Sequence, residues 1–217
     1  MKLKAVSLRY SFILSPLLAG TCALLPASVS VAPAAPGNDS VAVVTGPAAP
    51  ELDRFAASEL CAYLEKLFGL HVKPTTSIPT AARDVFLVGN PTTNPLIKEK
   101  SFPEVSDKGI VLKPAQSERR SMLTVGGGSP TATMWAVYEL VERWGVRYLL
   151  HEDVLPAPAK FKMPAFDLKQ EPILRVRQWR VINEHAMGPV SWGMADYRPV
   201  LDQLAKLKFY ANNGLDP

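Results

Sequence analysis

Residues 121–156 read SMLTVGGGSPTATMWAVYELVERWGVRYLLHEDVLP, and the reading of this stretch decides the fold. The apolar run at 122–125 predicts a buried strand, and Gly126, Gly127 and Gly128 predict a turn into a helix. Ser129 suits the N-cap, because its hydroxyl can accept from a backbone N–H that the first helical turn leaves unpaired. Pro130 suits the first helical position and Gly145 the C-terminal stop. Between those signals Met134, Val137, Tyr138, Val141 and Trp144 recur at helical spacing and form one apolar stripe. A second strand is predicted over 146–150.

A strand, glycines and a helix N-terminus can cradle a phosphate, since the free amides and the helix dipole both favour an anion. The dinucleotide fingerprint, however, runs G-x-G-x-x-G with an acidic residue about twenty positions later. Here Pro130 and Thr131 stand where that motif would continue, and no Gly-Lys-Ser/Thr completes a P-loop. The residues favour a tight turn into a capped helix, and no cofactor is expected.

Upstream, 40–45 is a short β-branched strand closed by Gly46-Pro47. A helix is predicted over 50–68, with Leu52, Phe55, Ala56, Leu60, Tyr63, Leu64 and Leu67 on its buried face and Gly69 as its stop. An edge strand is expected at 71–74, a central strand at 84–89, a helical turn at 94–100, and a strand pair at 109–114 and 122–125. This order predicts an α+β fold over 40–156, a mixed β-sheet with two long helices.

Downstream the texture changes. Residues 157–172, proline-rich and without helical period, read as an extended connector. Residues 173–182 (ILRVRQWRVI) predict a strand, 183–192 a loop, and 197–207 an amphipathic helix with Val200, Leu201, Leu204 and Leu207 on one side. A further apolar element begins at 208. One β-α unit and the start of a second cannot bury their own faces.

The N-terminus has its own pattern. Lys2, Lys4 and Arg9 precede an apolar stretch at 12–25 broken by Pro16, and small residues follow, as in a cleaved export signal over 1–32. The apolar run is short for a bilayer span. A Pro/Ala linker occupies 33–39. Without the three signal cations the net charge of +4 becomes +1, so the basic balance gives no argument for nucleic-acid binding. A hydrophobic share of 47% against 20% charged residues indicates a globular chain.

Cys22 lies inside the signal, and Thr21 just before it argues against a lipid anchor. Cys61 is then the one mature cysteine and reads as a packed thiol on a helix flank, which leaves no internal disulfide. His71, His151 and His185 stand apart in sequence, and no metal-binding pattern is present.

Glycoside hydrolysis needs two carboxyl groups facing each other across a sugar. Glu139 and Glu142 read as a solvated helix face, and Glu152 and Asp153 as loop neighbours whose side chains diverge. A different constellation carries more promise: Trp179 and Arg180, with Asn183, His185 and Trp192 in the following loop. An indole can stack on a pyranose while amide and imidazole groups take its hydroxyls. An arginine-rich strand covering a domain interface explains the same residues equally well.

At these residues a family pattern emerges. Tyr138-Glu139-Leu140-Val141-Glu142, Trp144-Gly145-Val146-Arg147-Tyr148-Leu149 and Val154-Leu155-Pro156 resemble the N-terminal domain of bacterial α-glucuronidases and related glycoside hydrolases. That domain is similar to the one preceding the catalytic barrel in β-hexosaminidases. Ala56-Ala57-Ser58-Glu59-Leu60 and Val85-Phe86-Leu87-Val88-Gly89 match its first helix and central strand, so the resemblance covers 40–165. It implies that a (β/α)₈ barrel follows with the catalytic acids, and 173–217 look like the start of that barrel. A whole barrel takes roughly 200 residues or more. The implied chain is therefore the N-terminal part of an exported glycoside hydrolase acting on polysaccharide or oligosaccharide, with no catalytic residue of its own and inactive alone. The alternative is a secreted, non-catalytic carbohydrate-binding module. Either way the expected partner is carbohydrate, with no nucleic acid and no membrane beyond the export signal.

Overall fold

A computed structural model of the chain describes residues 40–98, 101–115, 117, 119–179 and 191–210. The expected export signal, the linker and Cys22 lie outside these residues.

Three parallel strands form the centre: β1 (Val41–Val44), β3 (Asp84–Val88) and β5 (Ser121–Gly127), with Val43 opposite Phe86 and Phe86 opposite Leu123. The short β2 (Pro74–Thr75) adds a parallel edge beside β1. On the other side β4 (Ile110–Ala115) and β8 (Leu168–Gln170) pair antiparallel, giving the mixed order β2-β1-β3-β5-β4-β8. Strand side chains alternate between faces. Val41, Val43, Phe86, Val88, Leu123 and Val125 therefore join the core beneath the helices. Ala42, Val44, Val85 and Leu87 pack on the opposite face with Ala82 and Ile97 from loops. Cover on both faces is why β1 and β3 read as unbroken apolar runs.

Helix α1 (Glu51–Phe68) and helix α2 (Pro130–Arg143) share one face of the sheet. Ser129 Oγ accepts the Ala132 N–H at 3.2 Å, the N-cap that the sequence predicted, and Pro130 opens α2. Burial runs through every residue from Ala132 to Val141, so α2 is covered on all sides rather than along one stripe. On α1 the expected Phe55 is 46% exposed, and Asp53 is buried instead. Gly69 ends α1 with φ 68.

The glycine turn serves close packing. A Cβ on Gly126 would collide with the Gly89 carbonyl, and one on Gly128 with the Ser106 carbonyl. Nearby strand ends are closed by side chains: Asn94 Nδ2 donates to the Val44 and Val88 carbonyls at 3.0 Å each, and Asn90 Nδ2 to the Gly127 carbonyl at 3.0 Å.

Other expectations are corrected. The strand expected over 146–150 is only β6 (Arg147–Tyr148), paired with β7 (Asp153–Val154) in a separate ribbon. Its hairpin closes at once, with the Leu149 N–H on the Glu152 carbonyl at 2.9 Å, leaving no length to join the main sheet. The extended connector over 157–172 is in part structural. Its Leu168–Gln170 is β8, while Phe161, Met163 and Phe166 pack on the helix-side core. Phe161 meets Phe68 edge-on at 5.4 Å.

The strand expected over 173–182 is absent from 173–179, and the rest of that span is not described. Its backbone acceptors are taken singly by other elements: the Arg175 carbonyl by Lys108 Nζ at 3.0 Å and the Arg177 carbonyl by the Tyr210 N–H at 2.8 Å. Helix α3 (Met194–Lys206) begins earlier than expected. It buries Val200, Gln203 and Leu204, whereas the expected Leu201 and Leu207 are exposed, because α3 meets the domain through polar contacts as well as apolar ones. No described helix is long and apolar enough to cross a membrane.

Candidate functional site

Aromatic side chains around the start of α3 define the site. Trp179 and Trp192 stack with centroids 6.2 Å apart and planes 30° apart, and Tyr197 meets Trp192 edge-on at 5.5 Å. His151, from the β6–β7 turn, lies 6.5 Å from Trp192. Of the five residues singled out in the sequence, Trp179 and Trp192 are therefore brought together. Arg180, Asn183 and His185 lie outside the described residues. His151 looked isolated in sequence; folding places it against Trp192.

Two adjoining grooves run along α3 beside the β6–β7 turn. One, of about 340 Å³, is lined by His151, Trp192, Asp196 and Pro199. The other, of about 520 Å³, continues past His151 to Arg198, Asp202, Gln203 and Lys206. These volumes lie in the range of small-molecule pockets. Local sequence shapes the groove. Asp196 Oδ2 accepts the Gly193 N–H at 3.0 Å, fixing the start of α3 directly after Trp192. Pro199 has no N–H to give to the Ala195 carbonyl four residues back, so a groove-lining acceptor lacks its helical donor.

Beneath the groove lies a buried polar junction. Asp153 accepts from Tyr63 Oη at 2.6 Å, Gln203 Nε2 at 2.8 Å and Lys206 Nζ at 2.9 Å. Burial alone would raise this carboxyl, yet those donors outweigh it and hold Asp153 below the ordinary carboxylate range. Glu139 is not on a solvated face: it is buried, with Arg143 Nη2 and Lys208 Nζ each at 2.9 Å. Burial pushes it up, and the Lys208 and Arg143 contacts bring it below its usual value.

The chemistry follows from these directions. A general acid for glycoside cleavage needs a carboxyl held above its ordinary range. Asp153 and Glu139 are shifted the other way and are occupied by cations. Asp53 is raised, chiefly by burial, but it sits in the interior with 0% exposure. The hydroxyls of Thr93 and Thr133 lie beside it, and neither closes a hydrogen bond of normal geometry. The grooves themselves present an aromatic ring, an imidazole, and exposed charges of both signs. Among the described residues no group of three or more His, Cys, Asp or Glu side chains is placed to hold a metal.

The sequence signal that would have found more of this site is the pair Trp192 and Tyr197 flanking a helix start. Arg198 and Asp202, four apart on α3, share its outer face. His151 had no local signal, since a hairpin turn places it there.

No protein-family model matches the chain, and no curated protein matches it. Solved structures do. A family GH115 4-O-methyl-α-glucuronidase with specificity for decorated arabinogalactans matches with a TM-score of 0.54 and 16% identity, over 78% of this chain and 24% of that one. A GH138 enzyme targeting pectin rhamnogalacturonan II matches with a TM-score of 0.37 and 12% identity, over 64% of this chain and 16% of that one. A GH20 exo-β-N-acetylglucosaminidase from Vibrio harveyi matches with a TM-score of 0.27 and 17% identity, over 48% of this chain and 12% of that one. The first of these likenesses establishes a shared α+β fold. The chain spans about a quarter of that glucuronidase's length.

Proposed function

We propose that this chain is the N-terminal part of an exported glycoside hydrolase, α-glucuronidase-like, acting on acidic side chains of a polysaccharide or oligosaccharide. In this reading the six-stranded sheet with α1 and α2 is an accessory layer, and 173–217 open a catalytic barrel. The observation that carries it is the fold shared with the GH115 glucuronidase over 78% of this chain. The motifs at 138–156 and the export-type pattern at 1–32 support it further. The 217 residues alone are expected to be catalytically silent. Incubation with glucuronoxylan fragments and decorated arabinogalactan oligosaccharides should release no sugar; release that disappears in Asp202→Asn would overturn this.

A second reading rests on the groove itself. Trp192, His151 and the Trp179 stack form a contact surface on α3 that needs no catalytic acid, as a carbohydrate-binding module would. Isothermal titration against neutral and acidic oligosaccharides separates the two. Saturable binding that Trp192→Ala abolishes favours the module, and no heat with any of them removes it.

A further inference from the structure

Away from the α3 grooves, a small cleft of about 20 Å³ opens between β4, α2 and the segment after β8. Lys108, Trp135, Gln170, Arg177 and Lys208 contribute to its wall, and none of the described residues that line it is acidic. The three cations differ in their partners. Lys108 Nζ donates to Tyr210 Oη at 2.7 Å and to the Arg175 carbonyl, and Lys208 Nζ is paired with Glu139 and Glu142. Arg177 has neither. Its guanidinium lies over the Trp135 ring at 4.6 Å, and its Nε and Nη2 are shielded from solvent with no hydrogen-bond partner. Trp135 is 1% exposed, and its Nε1 also lacks a partner.

The orphaned groups here are all donors, and buried donors are nearly always satisfied in folded proteins. A cleft of this volume holds one water-sized particle. A water would answer some of the donors and bring hydrogens of its own, whereas an anion answers donors only and gains from the three surrounding cations. The small volume favours a small anion over a sugar. We propose that this cleft is a binding site for one small monovalent anion of halide size, held by the Arg177 guanidinium and the Trp135 indole N–H. Bound there, the ion ties the segment after β8 to α2 and β4.

The test is thermal unfolding of the 217-residue chain in sodium chloride, sodium bromide and sodium gluconate at matched ionic strength. Chloride and bromide should raise Tm saturably, by about 3–6 °C at about ten times Kd, and gluconate should not. Arg177→Met keeps an unbranched stem over Trp135 and should lose the halide response. Crystals grown in bromide should show an anomalous peak beside Arg177 and Trp135. An equal rise in gluconate, a halide response undiminished in Arg177→Met, or no anomalous peak would each overturn the proposal.

Discussion

Tyr63 on α1 donates its phenolic O–H to Asp153 Oδ2 at 2.6 Å, joining residues 90 positions apart. The same carboxylate takes Gln203 and Lys206 from α3. One acid therefore fastens the first helix, the β6–β7 ribbon and the last helix, and it sets the floor under the α3 grooves.

Asp153→Ala should leave Lys206 half of a largely buried pair and cost about 3 kcal/mol, read as a lowered urea midpoint. The sign of its pH dependence follows from the lowered carboxyl. Its contribution is complete above the ordinary value of 3.8 and is lost as pH falls through the folded-state value. The wild-type chain should lose stability over that acid range, and the variant should show a shallower slope there.

Asp53 is the opposite case. Its folded carboxyl is raised by burial, so between 3.8 and the folded value the native state binds more protons than the unfolded chain. Stability contributed by this group is therefore present at low pH and falls as pH rises through the folded value. Asp53→Asn should unfold at a urea concentration no lower than wild type at pH 7, with the difference shrinking in acid. Matched urea titrations at both pH values check this.

Phe86, fully buried, packs edge-on to Trp144 at 6.0 Å and to Phe161 at 6.3 Å. Phe86→Ala should cost roughly 3–5 kcal/mol through lost transfer energy and the cavity left behind. A substitution at Phe161 should be milder, since that ring lies at the partly buried margin of the core.

Burial pushes the Cys61 thiol up to about 12. In a Cys22→Ser variant, which leaves Cys61 as the one cysteine, the folded chain at pH 8 should react negligibly with a thiol reagent, because the thiolate is the reactive form. Full labelling should appear on unfolding in guanidinium, and rapid labelling of the folded chain would contradict the packed-thiol reading.

Much of the fold was legible because its signals are local. The Ser129 cap, Pro130 and the apolar runs at 84–89 and 122–125 each fix their element within a few residues. The glycine turn was also legible as a turn; Gly126→Ala or Gly128→Ala should cost roughly 1–3 kcal/mol, because the added Cβ meets a neighbouring carbonyl. The features that escaped depend on contacts distant in sequence. β8 hides in a proline-rich stretch whose alternation (Phe161, Met163; Phe166, Leu168) is brief. Glu139 reads as a surface residue until the packing around it is known, and Asp53 carries no local signal that it is buried. At the site, Trp179 and Trp192 were visible as residue types, but only the hairpin at 149–152 carries His151 to Trp192.

Whether a catalytic barrel lies downstream can be read from the coding strand beyond the codon for Pro217. An in-frame continuation of roughly 200 residues or more is expected, with alternating strand and helix patterns and two well-separated acids at strand ends. A stop codon directly after Pro217 would contradict the glycoside hydrolase reading and leave the carbohydrate-binding module as the one to pursue.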